Sequence, residues 1–270
     1  MLTPKWTTDI SQYYRDDFEL PAHQLVIIVA RFSDLRAALK SKDITDPSSI
    51  VLSLLSIDAA LLEWLTLLPP NWAYKTIDTT TESDTTYGSQ SHIYGDVWIA
   101  SVWNNYRCVR MLCNESILGH LGRIPSSQSI HVKVDYSAQA RLSRSLLNQL
   151  AYEICSSVTF QLGPSKMKDG HLSFQCIALY GFYLLWPLYI AGSAVGTPNP
   201  LRLWVIRLLD GIGYSMGIRQ ASALAQMLQT NMLHSPDFSK SDGQESTETC
   251  HHENNDAANA TEEEVYLPRK

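Results

Sequence analysis

The sequence predicts an all-α fold, with a multi-helix domain over residues 22–233, an N-terminal extension over residues 1–21 and a disordered acidic tail over residues 234–270. Hydrophobic residues recur at steps of three and four in successive segments, which is the period of a helix with one buried face. They make up 45% of the chain, against 18% charged residues, so a sizeable core is available. Strand character is confined to residues 129–134, which are too few to found a sheet.

The first two predicted helices cover residues 22–40 and 47–68. The apolar face of the first is formed by Leu25, Ile28, Val29, Phe32, Leu35 and Leu39. Asp46 is a favourable N-cap for the second helix, and Pro47 suits its first turn. Its apolar face is formed by Ile50, Leu54, Ile57, Leu61, Trp64 and Leu68. The pair Pro69-Pro70 ends this helix.

Residues 75–92 are rich in Thr, Ser and Asp and predict a surface loop before a helix over residues 96–121. That helix has one stripe at steps of three and four, formed by Trp98, Val102, Tyr106, Val109 and Cys113. A polar string with the sequence WNNYR, residues 103–107, lies on and beside the stripe. An ordinary amphipathic helix does not require this string.

The C-terminal half of the domain predicts four more helical segments. The segment of residues 135–162 ends at Gly163-Pro164 and aligns Leu142, Leu146, Leu150, Ile154 and Val158. Residues 172–195 are almost wholly apolar, and Pro187 predicts a break within them. Residues 201–216 and 218–233 predict two helices joined at Gly217.

The net charge of −6 is carried by the tail. From Asp237 onward there are nine acidic and three basic residues, which leaves eighteen of each in residues 1–236. A neutral domain without a basic run is a poor match to the phosphate backbone of DNA. Direct DNA binding by this chain alone is therefore disfavoured.

The five cysteines predict reduced, buried thiols in an intracellular protein. They are Cys108, Cys113, Cys155, Cys176 and Cys250, they are odd in number, and no two have zinc-ligand spacing. The first ten residues lack the layout of a signal peptide. The run Cys250-His251-His252 has atoms that can bind a metal, but a lone polar cluster in a disordered tail seldom does so. The sequence assigns no catalytic, cofactor-binding or metal-ligating residue, and it predicts a protein that is not an enzyme.

A membrane span through residues 172–195 is one alternative, since residues 172–201 contain no charged residue. The polar residues Ser173, Gln175 and Ser193, together with several Gly and Pro, oppose it. A central helix buried on all sides is the other explanation of this composition.

A small serine hydrolase is a second alternative, because residues 213–217 read GYSMG and match the nucleophile-elbow pattern around Ser215. In that fold the acid and the histidine follow the serine on later strands. Here one predicted helix and the tail follow, so that His234, His251 and His252 have no strand to position them. A turn between helices is the favoured interpretation of these glycines.

Three sequence blocks carry a family resemblance. They comprise residues 58–64 (DAALLEW) with 68–74 (LPPNWAY), residues 103–107 (WNNYR) with Arg110 and 112–118 (LCNESIL), and residues 185–192 (LWPLYIAG) with Trp204, 212–218 (IGYSMGI) and 221–228. In this order and spacing they resemble the C-terminal regulatory region of fungal binuclear-zinc-cluster transcription factors.

The resemblance implies an all-helical regulatory domain, a nuclear location, and a regulator of the kind found in secondary-metabolite gene clusters. The six-cysteine zinc cluster of that family is absent from this sequence, whose first cysteine is Cys108. We therefore expect the chain to act through protein partners, either a DNA-binding subunit or a further copy of itself. A pocket for a small-molecule effector between the helices stays an open alternative.

The aromatic and basic residues of the blocks predict structural roles first. We expect the core to be anchored by Trp64, Trp72, Trp98, Trp103 and Trp186. We expect Arg107 and Arg110 to satisfy helix ends or carboxylates such as Glu115.

Overall fold

The computed structural model describes residues 19–79, 84–124, 136–163, 165–194 and 196–230. The N-terminal extension, the segment 129–134, the tail and its Cys250-His251-His252 run lie outside the described residues. The helices in chain order are α1 Leu20–Lys40, α2 Pro47–Thr66, α3 Val97–Leu121, α4 Tyr136–Ser156, α5 Val158–Leu162, α6 Ala178–Ser193, α7 Asn199–Met216 and α8 Arg219–Gln229. The strands are β1 Lys75–Asp78, β2 Gln90–Ile93, β3 Ser165–Lys168 and β4 His171–Phe174.

The predicted helical fold is confirmed, and the local signals expected at the start of α2 are present. The carboxylate of Asp46 accepts a hydrogen bond from the Ser49 backbone N–H at 2.8 Å, and Pro47 opens the first turn of α2. Every predicted inner residue of α2 from Ile50 to Trp64 is buried. At the other end of α2, the indole N–H of Trp64 donates to the backbone carbonyl of Pro21 at 2.7 Å, which fixes the start of α1 against α2.

Helix α3 is the centre of the domain and packs against α2, α4 and α6. Because neighbours cover it on several sides, its buried surface extends far beyond the predicted stripe and includes Asn104, Arg107, Asn114 and His120. Four polar side chains at such depth must find partners within the protein, since burying them unpaired is costly. The first three find partners on surrounding elements, in or beside the clusters described below, whereas His120 Nδ1 lies 2.8 Å from the Ser116 carbonyl of α3 itself.

The segment predicted as one helix over residues 135–162 is divided into α4 and α5 at Ser157. At the start of α4, the sequence predicted the wrong residues to face the core. Leu142 is 65% exposed, whereas Leu147 is fully buried. The inward direction is set by packing against α3 and α6, and the adjacent leucines Leu146 and Leu147 allow either choice in the sequence.

The expected loop over residues 75–92 was wrong in part, because it contains β1 and β2. These strands pair antiparallel, with Lys75 opposite Ile93 and Asp78 opposite Gln90. Strands β3 and β4 form a second antiparallel pair. Their turn is Asp169-Gly170, where both residues have positive φ (49° and 80°). Such turns suit Asp and Gly and match the twist of a two-stranded hairpin.

The apolar segment 172–195 is not one helix. Its first part is β4, which packs on α7, and its second part is α6, which extends over sixteen residues. Pro187 was expected to break the helix, but it lies within α6 and is buried. Gly211 of α7 allows the contact with β4, because a Cβ there would come within 2.6 Å of the Leu172 Cβ. Gly217 ends α7 with φ of 70°, as a helix-to-helix turn requires.

Among the described residues, α2 is the one helix that is long and apolar enough to cross a membrane. One third of the residues in its apolar stretch are buried inside the domain. The central helices of globular domains satisfy the same criterion, so length and composition alone decide nothing. Helix α6, at sixteen residues, falls short of the roughly 20 residues that a span requires.

Candidate functional site

An aromatic cluster joins the first two sequence blocks. The Trp64 ring of α2 stacks on Tyr106 of α3 at 5.2 Å between centroids and meets the edge of Trp103 at 5.8 Å. The Trp103 indole N–H donates to the Trp72 backbone carbonyl at 2.9 Å. Such ring pairs contribute beyond the burial of their area. The core role that the sequence predicted is therefore confirmed for Trp64, Trp72 and Trp103.

The predicted core role of Trp186 was wrong. Its side chain is 48% exposed on α6 and stacks on Tyr189 at 5.6 Å. Trp98 is half-buried and meets the edge of the Trp72 ring at 5.4 Å. The buried side of α6 is formed mainly by leucine and isoleucine, together with Gly181 and Gly192, which approach α7 and α8 closely. Trp186 lies on the side of α6 that these contacts leave uncovered.

The most concentrated polar chemistry in the described chain surrounds Arg107, a residue with no exposed surface. Its Nε donates to Glu153 Oε2 of α4 at 3.1 Å, and its Nη1 donates to the Tyr94 hydroxyl at 2.8 Å and to Asn104 Oδ1 at 2.9 Å. The His92 Nδ1 of β2 lies 3.5 Å from Nη2. We name these five residues the Arg107 cluster.

Aromatic rings complete the surroundings of the guanidinium. The Arg107 Cζ lies 5.1 Å from the centroid of Tyr74 and 5.4 Å from that of Trp103. Ring faces attract a cation at these distances, and more strongly when water is excluded. Because hydrogen bonds, a carboxylate and ring faces all favour the charged form, the guanidinium is held as a cation inside the core.

The cluster fixes the protonation of its members. Burial and the neighbouring Arg107 charge lower the pKa of His92 to about 3. Burial raises the pKa of Tyr94 to about 12, against the opposing attraction of Arg107. Burial opposes the charge of Arg107 itself, but Tyr94 and Glu153 outweigh it, and the pKa of Arg107 is raised. Near neutral pH the Arg107 cation therefore lies beside a neutral His92 imidazole and an un-ionised Tyr94 hydroxyl.

Acidification should destabilise the fold through His92. Its folded-state pKa lies below its unfolded value of 6.5, so below pH 6.5 the unfolded state binds a proton that the folded state excludes. We expect the free energy of unfolding to fall by about 1–2 kcal/mol between pH 6.5 and 5 because of this residue, at up to about 1.4 kcal/mol per pH unit. Urea denaturation at stepped pH, followed by circular dichroism, measures the slope.

The matched comparison for this prediction is His92→Gln against His171→Gln. His171 is exposed and lies in β4, outside the Arg107 cluster. The first variant should flatten the pH dependence between 6.5 and 5, and the second should retain it. Equal slopes in wild type and His92→Gln would show that His92 is not the acid-sensitive group.

A second polar cluster joins α2, α3 and α4. The Asp58 Oδ1 accepts hydrogen bonds from Arg110 Nε at 3.0 Å and from Asn114 Nδ2 at 2.9 Å. Arg110 Nη1 donates to the Tyr106 hydroxyl at 3.0 Å, and Ser143 Oγ donates to Asn114 Oδ1 at 2.9 Å. Burial raises the pKa of Tyr106 to about 12. We name these residues the Asp58 cluster.

The sequence correctly predicted that the two arginines bind carboxylates, but the carboxylate it named is not the one they bind. Both bind carboxylates, but the carboxylates are Glu153 and Asp58, not Glu115. Glu115 is itself buried on α3. Each ion pair joins α3 to a neighbouring helix, because the side chains at 107 and 110 project from α3 towards α4 and α2.

Ser215, the centre of the hydrolase alternative, lies within α7. Its hydroxyl donates to the Gly211 carbonyl one turn earlier at 2.8 Å, as serines in helices commonly do. A nucleophile elbow instead places the serine on a sharp turn between a strand and a helix. His234, His251 and His252 lie outside the described residues.

The cysteines of the described chain are free thiols. Cys108, Cys113 and Cys155 are buried, and burial raises the pKa of each thiol. Raised pKa values disfavour the thiolate, which is the reactive and metal-binding form. Across the described ranges, no group of three or more His, Cys, Asp or Glu side chains is arranged to hold a metal ion.

Sequence reasoning found the centre of the main cluster and missed its periphery. Arg107 and Asn104 belong to the polar string of residues 103–107 that the sequence singled out on and beside the apolar stripe. Tyr94, His92 and Glu153 gave no local signal, because they are brought to Arg107 from a strand end, a hairpin and another helix.

The comparisons with known proteins do not assign a family. No protein-family model, no curated protein and no solved structure matches this chain.

Proposed function

We propose that this chain is a transcriptional regulator of the fungal zinc-cluster type, which acts in the nucleus through a helical regulatory domain and protein partners. Residues 1–236 are electrically neutral and match the phosphate backbone of DNA poorly, so we propose that this part of the chain makes contacts with proteins. Regulation of a secondary-metabolite gene cluster is the biological role that the resemblance implies.

The observation that supports the proposal is the mutual packing of the residues that carry the resemblance. Asp58 and Trp64 of the first block contact Arg110 and Tyr106 of the second, at 3.0 Å and 5.2 Å. The third block lies in α6, α7 and α8, and α6 packs on α3. Residues that resemble a family pattern and also contact each other are expected if the pattern encodes one shared fold.

A reporter assay tests the proposal. Residues 1–270 are fused to a heterologous DNA-binding domain, and transcription is read from a promoter that carries its site. We expect the fusion to change transcription, with either sign, and to recover nuclear proteins upon affinity purification. The matched control is the same fusion carrying Trp103→Ala, which should lose the effect because the core is disrupted.

Two results would contradict the proposal. One is an unchanged reporter from a fusion that is shown by immunoblot to be intact and nuclear. The other is a change in transcription that persists when residues 22–233 are deleted, since the effect would then arise from the flanking segments.

A further inference from the structure

We draw no further inference here: the strongest candidate, the exposed apolar face of α6 formed by Leu179, Phe182 and Trp186, carries none, because nothing in the described part of the chain shows what covers it.

Discussion

Replacing Arg107 with Met is expected to lower the free energy of unfolding by about 3–5 kcal/mol, the range seen when one partner of a buried ion pair is removed. The change removes the donor to the Tyr94 hydroxyl, leaves Asn104 Oδ1 with only the 3.3 Å bond from Ser157 Oγ, and removes the cation from the face of Tyr74. Glu153 is 19% exposed and can recover part of its hydration. Urea denaturation at pH 7, followed by circular dichroism, measures the loss.

The matched control is Arg144→Met on the exposed side of α4, which should change stability by no more than about 0.5 kcal/mol. A double-mutant cycle of Arg107→Met with Glu153→Gln should give a coupling energy of about 0.5–3 kcal/mol, as expected for residues in direct contact. If Arg107→Met costs less than about 1 kcal/mol, the Arg107 cluster does not hold α3 to α4 and β2.

Replacing Trp103 with Ala should cost about 3–5 kcal/mol of stability, the usual range for a large buried aromatic side chain. Only 8% of the Trp103 side chain is exposed, and its ring contacts Trp64 at 5.8 Å and Tyr74 at 4.8 Å. The substitution also removes the donor to the Trp72 carbonyl, which anchors the segment that leads into β1. Thermal and chemical denaturation of the purified variant measure the effect.

Trp186→Ala is the matched control, because it makes the same substitution at a tryptophan for which the sequence predicted the same core role. Replacing the half-exposed Trp186 with Ala should lower the free energy of unfolding by about 1 kcal/mol or less. Comparable losses in the two variants would contradict the burial difference between α3 and α6. A loss below about 1 kcal/mol for Trp103→Ala would place that residue at a contact surface.

The elements that the sequence predicted well are those with local causes. The start of α2 follows from one carboxylate and one proline, Asp46 and Pro47, whose neighbours in the chain are also their neighbours in space. The end of α7 follows from the positive φ of Gly217. Both features involve residues within a single helical turn, so the helix start and the helix end can be predicted from the sequence without knowledge of the fold.

The elements that the sequence missed depend on distant partners. Strands β1 and β2 have no apolar alternation, and residues 75–78 are exposed throughout, so their pairing left no pattern in the sequence. The exposure of Leu142 and Trp186 was missed for a related reason. Leucine and tryptophan fit either side of a helix, and the neighbouring helices decide which side is covered.

The candidate site divides in the same way. The sequence by itself placed Arg107 on a helix, in a polar string on and beside an apolar stripe, and predicted that it satisfies a helix end or a carboxylate such as Glu115. Only the tertiary structure decided that the counter-charge is Glu153, 46 residues away, and that Asp58, 52 residues away, serves Arg110. The period of a helix depends on residues three or four positions apart, so it can be recognised in the sequence. An ion pair in the core joins residues far apart in the chain, and it forms only when α2, α3 and α4 have packed together.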